Sequence, residues 1–226
     1  MKSYKRNTLE LLLKWSIFFI GLFIMSFGIV LTIKADLGVS AWDVLHIGLY
    51  KQFGLSIGSW TIMIGGLVLF SASLLTRKLP QVGAFINMFT IGIFIDLFLY
   101  IPVLKTPEFF LGKMMMLLMG IIILCYGMGL YISAKCGAGP RDSLMIALVK
   151  KTGKSITFIR AWIEVIVLFI GWLLGGPVFI GTVIATISLG YVAGVMIPFC
   201  QNTTNLLFVK LLNKNQFQTS LLDRGM

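Results

Sequence analysis

Apolar residues in this chain fall in long unbroken runs rather than in stripes at helical spacing. Six of them, over 15–33, 57–75, 82–104, 114–134, 156–174 and 178–199, are long enough to cross a membrane as helices. Polar and small residues collect between the runs. The most distinctive such segments follow the first and fourth runs: LGVSAWDVLHIGLY begins at Leu37 and CGAGPRDSLMIALV begins at Cys136. Each opens with turn-forming residues and then reads as a helix start. Ser40 and Asp43 have capping-box spacing, Pro140 suits a first helical position, and Asp142 suits a first turn. Gly54 and Gly153 mark the ends. A helix of about 12 residues is roughly 17 Å long and cannot cross a core of about 30 Å. Two placements stay open: flat in the interface, or dipping in as a re-entrant half-helix whose N-terminus faces a buried site.

The two segments belong to a larger repetition. Residues 28–75 align with 127–174 at a constant offset of 99, with 19 of 48 positions identical. Identical Leu, Ile and Val come easily in a membrane protein. The pairs Gly28/Gly127, Gly38/Gly137, Asp43/Asp142, Lys51/Lys150, Gly54/Gly153 and Ser56/Ser155 do not. Each copy holds three spans, and an odd number makes the second copy enter from the opposite side. The expected fold is an all-α polytopic membrane protein: six transmembrane helices as two inverted three-helix repeats, each with a short interfacial or re-entrant helix after its first span. The parts are a basic N-terminus (1–14), repeat 1 (15–104), repeat 2 (114–199) and a C-terminal tail (200–226).

Composition agrees with this and corrects one inference that charge alone would suggest. The 226 residues are 58% hydrophobic and 12% charged, with a mean hydropathy of +0.97, whereas soluble domains carry roughly 25% charged residues. The net charge of +11 does not point to nucleic acid, because of where it lies. With both termini cytoplasmic, 14 basic residues fall on inner segments and 4 on outer ones, with Arg160 inside a span. That is the positive-inside bias of a multi-pass protein in a bacterial cytoplasmic membrane. The basic leader before the first run is retained rather than cleaved, since Gly28, Leu31 and Ile33 already belong to the repeat. Cys125, Cys136 and Cys200 have no metal-ligand spacing and read as packing residues.

The segments LGVSAWDVLHIGLYKQFGLSIGSWT and GAGPRDSLMIALVKKTGKSIT resemble the YczE/YyaS/YitT group of bacterial integral membrane proteins. The resemblance covers about 14–199, and G-x-G-P-R-D is its most specific part. The first copy departs from a common G-x-S-P-W-D form, having Ala41 in place of proline. The group is described as uncharacterised, so the resemblance implies a fold and supplies no reaction.

Ionisable groups inside a bilayer are costly and become functional candidates by default. Arg160 and Glu164 lie one turn apart in the fifth span and Asp96 lies in the third; none has a charged counterpart in the other repeat. A structural ion pair locking two helices competes with an ion or proton relay that uses Glu164 or Asp96. Asp43 and Asp142 form the symmetric pair, with helix capping the leading reading. Asp43, His46 and Tyr50 share one stripe, and His46 is the only histidine. Arg141 faces either phosphate headgroups or an anion site. Gly190 and Gly194 form a GxxxG in the last span and suggest close helix packing.

No H-E-x-x-H, G-x-S-x-G or P-loop is present, so an enzyme is not expected, nor is a metal or cofactor. The expected surroundings are the lipid bilayer and an unidentified small solute, and the chain's size for a transporter leaves room for a homodimer. Two functions remain open. One is a transporter or channel for that solute; the other is a non-transporting accessory or scaffold, for which 201–226 carries enough leucine and lysine for a short amphipathic helix.

Overall fold

The computed structural model describes residues 2–102 and 104–222, with side chains described for 10–102, 104–208, 210 and 211. The basic side chains expected inside at Lys2, Lys5, Arg6, Lys214 and Arg224 lie outside the described ones. Among the described residues there are eight helices and no strand: α1 Lys2–Lys34, α2 Ala41–Phe53, α3 Ile57–Thr76, α4 Val82–Leu99, α5 Phe110–Ser133, α6 Pro140–Thr152, α7 Ile156–Leu173 and α8 Ile180–Leu222. Six of them, all but the short α2 and α6, are long and apolar enough to cross a membrane.

Helix α1 begins at Lys2 rather than residue 15 and α5 at Phe110 rather than residue 114, and two further boundaries differ from the hydrophobic pattern. The third run was expected to carry its helix to residue 104, but α4 stops at Leu99. Pro102 disfavours helical backbone at the residue before it, and Ile101 has already left the helix. The last span was expected to end at residue 199, yet α8 continues through Pro198 to Leu222. At 43 residues α8 is about 65 Å long, roughly twice a hydrocarbon core.

The sequence offset of 99 reappears in the backbone. Helix α2 begins and ends 99 residues before α6, α1 ends 99 before α5, and α3 begins 99 before α7. The turns match as well: Asp36 and Lys135 have φ of 52° and 56°, and Gly54 and Gly153 have φ of 73° and 70°. Each of these last two glycines closes its short helix with an N–H donated to Tyr50 O or Val149 O.

Helices α1 and α5 form the centre. They run antiparallel and touch through small residues: Gly28 abuts Gly120 and Leu124, while Gly127 abuts Gly21 and Met25. Every one of these contacts becomes another in the set when each residue is exchanged for its partner 99 positions away. A buried cluster containing Phe18, Leu22, Ile29, Leu117, Ile121 and Leu124 fills this interface. The outer helices cross over between halves, α2 packing on α7 and α6 on α3. The Lys51 ammonium and the Gln52 amide of α2 donate to Gly175 O and Leu174 O, just past α7.

Neither short helix lies flat at an end of the bundle. At its N-terminus α2 buries Trp42 and Leu45 with Val68 and Val167, which lie well inside α3 and α7. Its C-terminus sits at the end of α7. Likewise Pro140, first residue of α6, approaches Gly65 near the middle of α3. Both helices therefore point their N-termini into the body of the bundle.

Candidate functional site

Because α2 and α6 both start at depth in the bundle, their first turns meet. The Arg141 guanidinium lies over the Trp42 ring, 4.9 Å from its centroid. Residues 42 and 141 are themselves counterparts under the 99-residue offset. The stack holds a cation at mid-bundle against an aromatic face, a favourable electrostatic contact.

Acidic groups frame the arginine. Asp43 Oδ1 is 3.9 Å from Arg141, and Ser40 Oγ donates to Asp43 Oδ2 at 2.6 Å. The capping box is thus not formed: the Ser40 hydroxyl turns to the buried carboxylate, and no side chain caps α2 or α6. On the other side, Tyr131 Oη donates to Asp142 Oδ2 at 3.1 Å. Both carboxylates have hydrogen-bond partners. The guanidinium does not: among the described residues its only polar contact is the ion pair with Asp43. His46, 2% exposed, lies 3.9 Å from Asp43 and 3.2 Å from Thr61 Oγ1. Tyr50 points outward, so the expected stripe ends at His46.

Two cavities flank the Trp42–Arg141 stack, and both also touch Met25, Met128 and Asp142. The first, about 80 Å³, is lined by His46, Thr61, Gly65, Asn87 and Gly139–Asp142. The second, about 260 Å³, is lined by Met145, Arg160, Glu164, Thr186 and Ser40–Asp43. Adding 99 to the first set gives most of the second: His46 becomes Met145, Thr61 becomes Arg160, Gly65 becomes Glu164, and Asn87 becomes Thr186. The cavities are twins in position and opposites in chemistry. Besides the shared Arg141 and Asp142, the smaller holds His46, Thr61 and an Asn87 amide nitrogen that is buried with no partner among the described residues. The larger holds a charged pair.

That pair does not lock two helices, as one sequence reading had it. Arg160 Nε donates to Glu164 Oε1 at 3.1 Å within α7, and the side chains are 46% and 27% exposed. Asp96 stands apart from both cavities. It accepts from the Gly58 N–H at 2.8 Å and from the Ser56 hydroxyl, so it ties the start of α3 to α4. Gly58 and Gly92 touch in the same seam.

Of the sequence candidates, the structure thus brings together Asp43, His46, Arg141, Asp142, Arg160 and Glu164 around the stack and leaves Asp96 outside. Sequence reasoning passed over Trp42, Thr61, Asn87 and Tyr131. Trp42 was within reach, because it aligns with Arg141 in the repeat. A Cβ at Gly190 or Gly194 would meet no atom within 4 Å, so their expected close packing is not made among the described residues.

An all-α membrane protein of six apolar helices, with charged groups gathered at its centre, is the class that this fold and site define. The chain belongs to the family of unknown function DUF6198, whose pattern matches residues 12–198. It is 42% identical to the uncharacterized membrane protein YczE of Bacillus subtilis (strain 168) over 191 residues, 84% of this chain and 87% of that one. It is 32% identical to the uncharacterized protein YyaS of the same organism, over 84% of this chain and 94% of that one. An uncharacterized protein of Haemophilus influenzae is 33% identical over 78% of this chain and 80% of its own length. No solved structure matches.

Proposed function

We propose that this protein is a transporter or channel of the bacterial cytoplasmic membrane, built as two inverted three-helix repeats with α2 and α6 as re-entrant half-helices. The observation that carries this reading is the pair of twin cavities divided by the Trp42–Arg141 stack. An inverted-repeat carrier places its site between its halves, at broken helices whose N-termini face the solute. Here the antiparallel α1–α5 pair, the exchange of contacts under the offset and the deep N-termini of α2 and α6 all favour that layout. The stack is the constriction. A solute held by Arg141 on one side reaches the other only by displacing the guanidinium from Trp42, and Asp43 and Asp142 offer it a resting place in either position. Glu164 then serves as the coupling or selectivity residue of the larger cavity.

The test is binding followed by flux. A ligand present at roughly 100 times its Kd adds about 2.7 kcal/mol of stability. Thermal unfolding against a panel of ions, metabolites and lipids is therefore expected to single out one chemical class. Its stabilising effect is lost in Asp43→Asn, and its flux in proteoliposomes is lost in Glu164→Gln while folding is kept. Full flux in Glu164→Gln removes that residue's role, and absence of flux for every stabilising compound removes the transport reading.

The scaffold reading has one observation in its favour, the extension of α8 far beyond a membrane span to Leu222. Under it, deleting 209–226 abolishes partner capture; under the transport reading the deletion leaves flux unchanged.

A further inference from the structure

The larger cavity is lined by α7 and α8, and the sequence accounts for how little these two helices meet. In the first half, α3 and α4 close on each other: Gly58 meets Gly92, and Asp96 accepts from both the Gly58 N–H and the Ser56 hydroxyl. In the second half, α7 and α8 scarcely touch among the described residues. Their positions equivalent to Gly58, Gly92 and Asp96 are Thr157, Tyr191 and Val195. Threonine and tyrosine cannot allow the glycine–glycine approach, and valine offers no acceptor. The second seam therefore lacks the fastening of the first. The resulting cleft runs between two membrane-crossing helices, so it opens sideways into lipid.

We infer that this cleft binds an anionic amphiphile which enters from the bilayer between α7 and α8, with its headgroup at Arg141 and Arg160 and its chain along the apolar wall. The assignment rests on the transport reading of the same cavities and names its substrate class. Three features of the cleft carry it. The cationic groups have donors to spare: among the described residues Arg141, 37% exposed, makes no hydrogen bond, and Arg160, 46% exposed, gives only one donor, to Glu164. The three carboxylates, by contrast, already accept hydrogen bonds. Two guanidinium forks with open positions suit a phosphate or carboxylate. Away from these charges the wall is hydrocarbon, formed by Ile29, Leu124, Ile132, Leu189 and Ile197. A charged pair facing acyl chains near mid-membrane is also costly unless a polar group covers it. A soluble ion meets the first feature only. An amphiphile meets all three.

The experiment uses the full chain in phosphatidylcholine nanodiscs, reading the melting temperature with dodecyl phosphate and with dodecanoate. Inorganic phosphate and acetate test the headgroup alone, and dodecyltrimethylammonium tests the chain with the opposite charge. Stabilisation is expected from the anionic amphiphiles only, and the stronger of the two identifies the headgroup as phosphate or carboxylate. Arg141→Gln is expected to weaken it about tenfold, the scale of one charge-assisted hydrogen bond. Should that variant not fold, Thr186→Trp plugs the cleft at an exposed position without touching a charge, and is expected to abolish the effect. Lys78→Gln, outside the cleft, leaves it unchanged.

Equal stabilisation by inorganic phosphate or acetate overturns the proposal in favour of a soluble anion, and equal stabilisation by the cationic amphiphile reduces it to nonspecific partitioning. Silence from both anionic amphiphiles, or a full effect in Thr186→Trp, also overturns it. So does a dimer that Thr186→Trp splits, since a second copy then covers the cleft. Movement of fluorescent phosphatidic acid between leaflets is scored separately in proteoliposomes. Binding without movement ends the transport reading and leaves the cleft assignment standing.

Discussion

The two halves of this protein share a backbone plan and differ in how firmly they are shut. The most apolar stretch of α4 is 39% buried, whereas that of its counterpart α8 is 17% buried; for α3 and α7 the figures are 28% and 11%. The smaller cavity lies against the fastened α3–α4 seam and the larger against α7 and α8; they share Arg141 and Asp142, and only the larger adds Arg160 and Glu164. Positions 99 residues apart differ in a handful of places: Gly58 against Thr157, Asp96 against Val195, and Thr61 and Gly65 against Arg160 and Glu164. A near-symmetric frame can thus hold one lasting opening, because closure depends on a few close contacts that substitution removes from one copy alone.

The largest effect expected from breaking this comparison lies in the closed seam. Gly92→Leu forces a side chain into Ile62 and the Gly58 carbonyl, with atoms 2.5 and 2.6 Å from where its Cβ would stand. A loss of about 3 kcal/mol is expected, the upper end of the range for overpacked cores, seen as a collapse in folded yield and melting temperature. Tyr191→Leu, at the same place in the other half, is expected to change stability by less than about 0.5 kcal/mol, as at unconstrained surface positions. A smaller effect follows for Asp96→Asn, which keeps one acceptor oxygen and loses the carboxylate charge that strengthens both bonds. A loss of about 1–2 kcal/mol is expected, while Val195→Asn in α8 leaves the seam as it was; thermal unfolding of the pair decides. The smallest concerns Gly190→Leu, for which no atom lies within 4 Å. Unchanged stability is expected in dilute nanodiscs, and a drop in oligomer mass by light scattering would show that this face of α8 packs on a second copy.

Much of this was legible in the chain before any coordinates. Long apolar runs fix membrane spans because the bilayer leaves few alternatives, and the Ser, Pro, Asp and Gly positions marked where both short helices start and end. The depth of those helices was not legible. Their apolar surfaces suit an interface as well as an interior, and only the packing of Trp42 and Pro140 beside the middles of α3 and α7 separates the two. The roles of the acidic residues were hidden for a related reason. Asp96 binds Ser56 and Gly58 about 40 positions away, and Ser40 leaves its capping geometry for a carboxylate buried by another helix. Local spacing carries no trace of the first, and for the second it pairs Ser40 with Asp43 but suggests backbone capping rather than the side-chain bond. The Trp42–Arg141 stack was half visible: the alignment pairs the two residues, but only the packing of α2 and α6 shows that they touch.

The most direct measurement compares one pair of counterpart positions. Asn87 and Thr186 line the two cavities 99 residues apart, the first 2% exposed and the second open to the cleft. Each is replaced by cysteine in a chain whose Cys125, Cys136 and Cys200 are serine, and labelling by a lipid-soluble maleimide is followed in nanodiscs. Rapid labelling at 186, slowed by dodecyl phosphate, beside negligible labelling at 87 is the outcome that the closed and open halves require. Equal labelling at both positions, or faster labelling at 87, would contradict the lasting asymmetry on which the account depends.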